Sequence, residues 1–97
     1  IACFGLAFKS NIDDLRESPA MEITQMISEW NKGTTLVVEP NIPALPARLE
    51  HCRLASLEEA LNNADVLVML VDHSPFKGIP PSRITQPWIV DTKGVWR

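Results

Sequence analysis

The sequence predicts an α/β domain in which a mostly parallel sheet is covered by helices on both faces. Residues 1–8 and 66–71 are nearly continuous apolar runs, which is typical of strands buried on both sides of a parallel sheet. Between these runs, Ser18 and Ser56 each open a segment with a helix start signal. Strand and helix signals therefore alternate along the chain, as βαβ units require.

The first strand and the first helix fill the first third of the chain. After the apolar run, Ser18 suits a helix N-cap and Pro19 suits the first helical position. Residues 31–33 (Asn-Lys-Gly) predict the end of this helix, with Gly33 as its C-terminal stop. Apolar residues recur between these points at helical spacing, and we expect that stripe to face the sheet. Its members are Ala20, Ile23, Ile27 and Trp30, with Met26 beside them.

The next elements are shorter. Residues 34–38 are rich in β-branched side chains and predict a second strand. Three prolines within residues 40–46 exclude regular structure after it. Ser56 and Glu59 form a capping box that predicts a second helix, and residues 88–90 predict the last strand.

Weaker signals fill the connections. Residues 49–55 predict a short extended piece, and residues 76–78 and 82–85 predict short helices. The resulting order of elements indicates a three-layer domain of Rossmann-like or flavodoxin-like architecture, with a mostly parallel sheet.

Length and charge limit the function classes. The chain has 97 residues and a net charge of −3, which suits one small domain and argues against a broad nucleic-acid or membrane surface. It shows no apolar run of the roughly 18–20 residues that a membrane span needs and no visible signal peptide. Its two cysteines lack a disulfide pattern, which favours a reduced cytoplasmic protein. Its first residue is Ile1, which predicts a piece of a longer protein. Cys3 and Cys52 lack ligand-like spacing, so reduced thiols are favoured over a disulfide or a metal site.

Ligands of open α/β sheets bind beyond the carboxyl ends of the strands. Lys9, Arg16 and Lys93 follow predicted strands, and together they predict a local site for an anion such as a phosphate. Three loops are predicted at that edge, residues 9–17, 72–76 and 91–94.

Two alternatives to ligand binding stay open. Arg16 has Asp13 and Glu17 as neighbours, and such surface pairs contribute roughly 0–1 kcal/mol. Asp72 and His73 could form a catalytic pair, but we favour a role in ordering the loop because no nucleophile stands at a matching position.

Two motifs carry a family resemblance. Residues 5–9 (GLAFK) and 13–20 (DDLRESPA) resemble the C-terminal domain of the UDP-glucose/GDP-mannose dehydrogenase family, and the likeness extends to residues 91–93 (DTK). The resemblance implies a longer enzyme whose N-terminal Rossmann domain holds NAD and whose central helical region carries the catalytic cysteine and mediates dimerisation. Family members oxidise the C6 alcohol of a sugar nucleotide to a carboxylate in two hydride transfers, through a thiol-bound intermediate.

The resemblance also implies roles for individual residues. Phe8 and Lys9 resemble contacts to the UDP-sugar, and Arg16 resembles the residue that reaches NAD from this domain. Lys93 resembles a further substrate contact, although many members have an arginine there in an Asp-Gly-Arg motif. Replacing that arginine by lysine exchanges a planar fork for a point charge.

The implied domain assignment is a single UDP-sugar-binding domain over residues 1–97. Neither Cys3 nor Cys52 matches the motif of the family nucleophile, so we expect no catalytic residue in this chain and no turnover from it alone. The implied partners are the UDP-sugar substrate, the N-terminal and central domains of the same enzyme, and further copies in a homo-oligomer. We expect neither a nucleic acid nor a membrane as a partner.

The substrate is the least determined part. Residues 18–23 (SPAMEI) and 90–96 (VDTKGVW) are most similar to members that oxidise UDP-N-acetylmannosamine for bacterial surface polysaccharides such as enterobacterial common antigen. Members that oxidise UDP-glucose are the alternative within the family. A noncatalytic flavodoxin-like regulatory module is the alternative outside it. A receiver-type module of that kind would need carboxylates at the end of the first strand, where this chain has Phe8 and Lys9.

Overall fold

A computed structural model describes residues 1–7, 18–31, 33–86, 88–94 and 96. Strands and helices alternate within these ranges, and no helix in them is long and apolar enough to cross a bilayer. The strands are Ala2–Phe4 (β1), Thr35–Val38 (β2), Cys52–Leu54 (β3), Val66–Met69 (β4) and Trp88–Asp91 (β5). The helices are Pro19–Trp30 (α1), Leu57–Asn63 (α2) and Ser74–Lys77 (α3), with 3-10 turns at Ala47–Leu49 and Pro81–Arg83.

The five strands form one sheet in the order β3-β2-β1-β4-β5, and every neighbouring pair is parallel. This confirms the predicted α/β class. The central strand is β1, whose Phe4 lies opposite Val38 of β2 and Met69 of β4. The next two strands along the chain, β2 and β3, lie on one side of β1, and the last two, β4 and β5, lie on its other side. The carboxyl ends of β1 and β4 therefore flank a topological switch point, where open α/β sheets bind ligands.

The apolar core lies on both faces of the sheet. Alternate residues of β1 point to opposite sides, so Ala2 and Phe4 pack in the cluster formed with α2 and α3, whereas Cys3 packs in the cluster formed with α1. The Phe4 ring meets Phe76 and Trp96 edge-on, with ring centroids 5.2 Å and 5.1 Å apart respectively. Three layers result, as the sequence predicts.

The start of α1 confirms the predicted cap. The Ser18 hydroxyl accepts a hydrogen bond from the Met21 N–H at 3.4 Å, and Pro19 occupies the first helical position. The same hydroxyl donates to the Leu6 carbonyl at 2.6 Å, and Ser18 is buried. This one side chain therefore ties the first turn of α1 to the chain that leaves β1.

The predicted sheet-facing stripe of α1 is wrong for three of its residues. The helix buries Ala20, Met21 and Thr24, because Met21 packs with Leu49 against β2 and so turns the helix away from the predicted orientation. Of the predicted stripe, Ala20 is buried and Ile27 packs partly buried against the core. The three residues turned toward solvent are Ile23, Met26 and Trp30.

The helix α1 ends where residues 31–33 predict its end, but Asn31 rather than Gly33 is the residue that caps it. The helix ends at Trp30, and Asn31 caps it in an extended conformation with its N–H donating to the Ile27 carbonyl. The Asn31 side chain then orders the turn, since its carbonyl oxygen accepts from the Gly33 N–H at 3.2 Å and its amide donates to the Thr35 hydroxyl at 3.0 Å. An asparagine side chain therefore does what a left-handed glycine was expected to do.

The first strand is shorter than predicted because the chain turns at Gly5. Its φ of +99° lies outside the region that other residues favour, and an added Cβ would lie 2.6 Å from the Cβ of Val71. Residues 49–55, for which the sequence predicts a short extended piece, contain the edge strand β3. The two weak helical signals correspond to α3 and to the 3-10 turn at Pro81–Arg83.

The edge strand β5 is unusually exposed. Trp88 is 68% exposed and Val90 is 51% exposed. By the parallel register they lie beside Val66 and Val68, whose side chains pack on the α1 side of the sheet. The outward face of α1 adds Trp30, which is 72% exposed. This face of the described chain therefore presents large apolar side chains to solvent.

We expect Ser18→Ala to lower the free energy of unfolding by about 2 kcal/mol, because it removes a helix cap and a buried hydrogen bond together. The matched control is Ser56→Ala. Ser56 is exposed and caps α2 through one bond from the Glu59 N–H at 3.1 Å, so its loss should cost roughly 0.5–1 kcal/mol. Urea denaturation measures both values, and equal losses would contradict the tie between β1 and α1.

Candidate functional site

Three buried polar side chains lie at the carboxyl edge of the sheet. Glu39 follows β2 directly, His73 comes four residues after the end of β4, and Asp91 is the last residue of β5. Because the strands are parallel, these groups and the chain leaving β1 lie along the same edge. This is the edge at which the sequence predicts ligand binding.

The Glu39 carboxylate is fully buried and accepts hydrogen bonds at both oxygens. Its Oε1 accepts from the backbone N–H groups of Leu6 and Ala7, at 2.8 Å and 3.1 Å. The same oxygen lies 2.8 Å from the His73 Nε2, and neither side chain is exposed to solvent. Its Oε2 accepts from the Asn41 N–H at 3.0 Å and from the Asn41 side-chain amide at 3.1 Å. One carboxylate therefore joins the chain ends that follow β1, β2 and β4.

The hydrogen bonds are mutually consistent for one tautomer of His73. Its Nε2 donates to the Glu39 carboxylate, which leaves Nδ1 as an acceptor in the neutral ring. The Asn41 Nδ2 lies 3.3 Å from that Nδ1 and can donate to it with one of its two hydrogens. The second hydrogen bonds to Glu39. Asn41 thus contacts both members of the pair.

The environment of Glu39 favours its charged form. Burial by itself raises the pKa of this carboxyl, and the hydrogen bonds from His73, Leu6 and Asn41 oppose that effect. The combined effect of these hydrogen bonds exceeds that of burial, so the pKa of Glu39 lies below its ordinary value of 4.5. Glu39 is therefore ionised at neutral pH in spite of its burial.

His73 orders the edge of the sheet, as the sequence interpretation favoured, although with an unforeseen partner. It bonds to Glu39 across the sheet, whereas the Asp72 carboxylate lies 3.7 Å from the ammonium of Lys77. His73 also packs edge-on against Phe76, with ring centroids 5.5 Å apart. A fully buried ring in these contacts favours the ordering role over the catalytic alternative.

The end of β5 is fixed by Asp91. Its Oδ1 accepts from the Lys93 N–H at 3.2 Å, and its Oδ2 accepts from the Trp96 N–H at 2.8 Å. Thr92 donates to the Met69 carbonyl at 2.6 Å, and the Trp96 indole N–H donates to the Phe76 carbonyl at 3.1 Å. These bonds fold the chain after β5 back toward α3 and leave the Lys93 side chain exposed on a tight turn.

The structure describes one of the four predicted ligand contacts. Lys93 lies exposed on the turn that follows β5, at the carboxyl edge. Phe8, Lys9 and Arg16 lie outside the described residues, so their contacts stay predictions. The described chain stops at Ala7 on one side of them and resumes at Ser18 on the other, and both ends are fixed at this edge.

A small cavity of about 140 Å³ opens beside Glu39. The described residues that line it are mainly apolar, and they come from the ends of β2 and β3 and the starts of α2 and α3. Pockets that enclose small ligands usually measure about 300–1,000 Å³, so this one cannot enclose a nucleotide.

The two thiols are unsuited to nucleophilic catalysis. Burial raises the pKa of Cys3 to about 11, so its thiolate is scarce at neutral pH. Burial also raises the pKa of Cys52, which is half-buried on the edge strand β3. In the described ranges, no group of three or more His, Cys, Asp or Glu side chains could hold a metal ion.

The sequence model of the UDP-glucose/GDP-mannose dehydrogenase family, UDP binding domain, matches residues 2–97. The chain belongs to this family. It is 66% identical over its whole length to the UDP-N-acetyl-D-mannosamine dehydrogenase of Escherichia coli K12 and 62% identical to that of Yersinia pestis. The chain spans 23% of the length of each of these relatives.

Solved structures of the family share the fold. The UDP-N-acetyl-mannosamine dehydrogenase Cap5O from S. aureus matches 97% of the chain with 30% identity and a TM-score of 0.72. The GDP-mannose dehydrogenase from Pseudomonas aeruginosa matches 97% of the chain with 25% identity and a TM-score of 0.79. The chain covers 22% and 24% of these two proteins, respectively.

Sequence reasoning missed Glu39 and Asn41. Glu39 comes directly after the predicted second strand (residues 34–38), and Asn41 lies among the prolines of the connection that follows. The available signal was a lone acid directly after four buried strand residues, since an acid in that place needs either solvent or donors. The partner could not be found in the same way, because His73 lies 34 residues further along the chain.

The lowered pKa of Glu39 predicts acid sensitivity of this UDP binding domain. Because the folded-state pKa is depressed, the ionised carboxylate stabilises the fold above the ordinary value of 4.5, and this contribution disappears as pH falls through the folded value. We expect wild type to lose its stability advantage over Glu39→Gln progressively as pH falls below about 5.5, through 4.5 and on toward the lower folded value, measured by urea denaturation. A constant difference across that range would contradict the assignment.

Proposed function

We propose that this chain is the C-terminal UDP-binding domain of a longer NAD-dependent nucleotide-sugar 6-dehydrogenase. We further propose that the enzyme oxidises UDP-N-acetylmannosamine to UDP-N-acetylmannosaminuronate in two hydride transfers. The observation that carries the proposal is the 66% identity over the whole chain to a UDP-N-acetyl-D-mannosamine dehydrogenase. A relative from Ralstonia solanacearum, 52% identical, is named NDP-N-acetyl-D-galactosaminuronic acid dehydrogenase, which favours an N-acetylated sugar over glucose.

The proposed part of this domain in the reaction is to bind and orient the nucleotide. Lys9 and Lys93 supply positive charge to the diphosphate of the UDP-sugar, and Phe8 packs against the ligand. Lys93 is exposed on a turn whose backbone is held by Asp91, so its ammonium can reach a ligand without unfolding any element. In a chain with a net charge of −3, such a site depends on a few local cations.

Arg16 is the proposed contact to NAD. The sequence has no GxGxxG turn after its first strand, so we assign the main NAD site to another domain. The planar guanidinium of Arg16 suits the paired oxygens of a diphosphate. When bound, NAD accepts the hydrides that leave C6. The domain itself supplies binding, orientation and the exclusion of water as it closes over the ligands.

The remaining assignments rest on the family resemblance. The catalytic cysteine lies in another part of the longer protein, because Cys3 is buried with a raised pKa and Cys52 lies on an edge strand. We propose that the full-length enzyme acts in the cytoplasm as a homo-oligomer, and that the N-terminal and central domains are the direct partners of this one.

The substrate proposal is tested by following NAD reduction with the full-length enzyme on UDP-N-acetylmannosamine and on UDP-glucose. We expect kcat/KM to favour UDP-N-acetylmannosamine by at least about 100-fold, since a site built to hydrogen-bond a group rejects analogues that lack it. The 97 residues alone serve as the control and should give no turnover. A comparable kcat/KM on UDP-glucose would contradict the proposed substrate preference. Turnover by the 97 residues alone would contradict the domain assignment.

The contact proposal is tested with two variants of the full-length enzyme. Lys9→Ala should weaken UDP-sugar binding by about 1.5–3 kcal/mol, the usual range for a hydrogen bond to a charged group. Arg16→Ala should act mainly on the KM for NAD. Arg53→Ala is the matched control, because it removes a cation that pairs with Glu59 on the edge strand β3. Wild-type kinetics in both test variants would show that Lys9 and Arg16 do not contribute to ligand binding.

A further inference from the structure

We propose that Glu39 is a positioning residue for nucleotide binding. Held by His73 and Asn41, it fixes the point from which the segment that carries Phe8 and Lys9 leaves β1. The proposal rests on the nucleotide-binding role proposed above for that segment. It adds the acid that follows β2, together with His73 and Asn41, to the residues that determine affinity.

The first step of the argument concerns the exit of the chain from β1. The Gly5 N–H still donates to a neighbouring strand, at 2.9 Å from the Val38 carbonyl. The next two N–H groups, those of Leu6 and Ala7, have turned from the strand and donate to the Glu39 carboxylate instead. The backbone is therefore fixed up to Ala7, and Phe8 and Lys9 follow at once in the sequence.

The second step concerns the rigidity of Glu39 itself. It accepts five hydrogen bonds from described residues, three at Oε1 and two at Oε2. A carboxylate offers about four lone-pair sites, so its capacity is filled. The donors approach from the ends of β1, β2 and β4, which are adjacent strands in the sheet or one strand apart. A shift of Glu39 would break contacts on all three sides.

The third step concerns charge. A free carboxylate at an edge that binds a diphosphate would repel the ligand. Glu39 is instead fully buried, and its lone pairs point to protein donors. Its influence on an anionic ligand is therefore exerted through the backbone that it holds. An apolar side chain in its place would leave the N–H groups of Leu6 and Ala7 without these acceptors.

The test uses Glu39→Gln in the full-length enzyme. Glutamine keeps the size and one acceptor oxygen, but it turns an NH₂ group either toward the donors of Asn41 or toward those of Leu6 and Ala7. At a temperature where the variant is fully folded by near-ultraviolet circular dichroism, we expect the KM for the UDP-sugar to rise about tenfold or more. We expect kcat to change by less than about threefold, because the chemistry lies on other residues. The matched control Glu58→Gln changes an exposed carboxylate on α2 and should leave both constants unchanged.

A double-mutant cycle separates positioning from general destabilisation. Glu39→Gln and Lys9→Ala should be strongly non-additive in KM, because both act through the same segment. Glu39→Gln and Lys93→Ala should be close to additive, because Lys93 is held on the turn after β5 by Asp91. A loss of stability alone would give the same additivity in both cycles.

A second pair of variants covers the case in which Glu39→Gln does not fold. His73→Gln keeps an amide donor for Glu39, whereas His73→Phe keeps a ring and removes the donor. We expect His73→Gln to retain a KM close to wild type and His73→Phe to raise it. Equal KM values in these two variants would overturn the inference.

The remaining outcomes are distinguishable from a failure of the proposed function. If Lys9→Ala raises the KM but Glu39→Gln leaves it at the wild-type value, the positioning role is overturned and the binding role of Lys9 stands. If Glu39→Gln and Lys9→Ala are additive, the positioning role is again overturned. If Lys9→Ala itself leaves the KM unchanged, the proposed contact is the part that fails.

Discussion

Burying the Glu39 carboxylate away from water costs several kcal/mol unless donors replace its lost hydration. The donors that replace it are backbone N–H groups after β1, the Asn41 turn after β2 and the His73 ring after β4. The buried carboxylate therefore holds the three strand ends together, because the loss of any donor would leave the charge incompletely hydrogen-bonded. The shape of the carboxyl edge, and with it the geometry available to any ligand there, depends on this one interaction.

Local signals in the sequence predicted the local features of the fold. Ser18 and Ser56 cap their helices as expected, because a cap is decided within three or four residues. The orientation of α1 could not be read in the same way, since its apolar residues extend over more than one face and packing of Met21 decided which face meets the sheet. The end of α1 was predicted at residues 31–33, but the pattern did not show that the Asn31 side chain, and not the backbone of Gly33, closes the turn.

The candidate site likewise has a part that the sequence predicts and a part that follows only from the fold. The pattern of strands and loops places Lys93 at the ligand-binding edge, and the GLAFK motif assigns Lys9 by likeness to a family; neither argument requires coordinates. The bond between Glu39 and His73 joins residues 34 positions apart, so it follows only from the strand order. A fold of this kind hosts many functions, and the sequence motifs rather than the architecture point to the family to which the chain belongs.

The exposed apolar face has a consequence for handling the molecule. Trp88 and Val90 lie on an edge strand, and Trp30 lies on the outer side of α1. Large exposed apolar side chains favour self-association through hydrophobic contact. A preparation of these 97 residues by themselves would thus be prone to precipitate on warming, since hydrophobic attraction strengthens with temperature, and would keep best when cold and dilute.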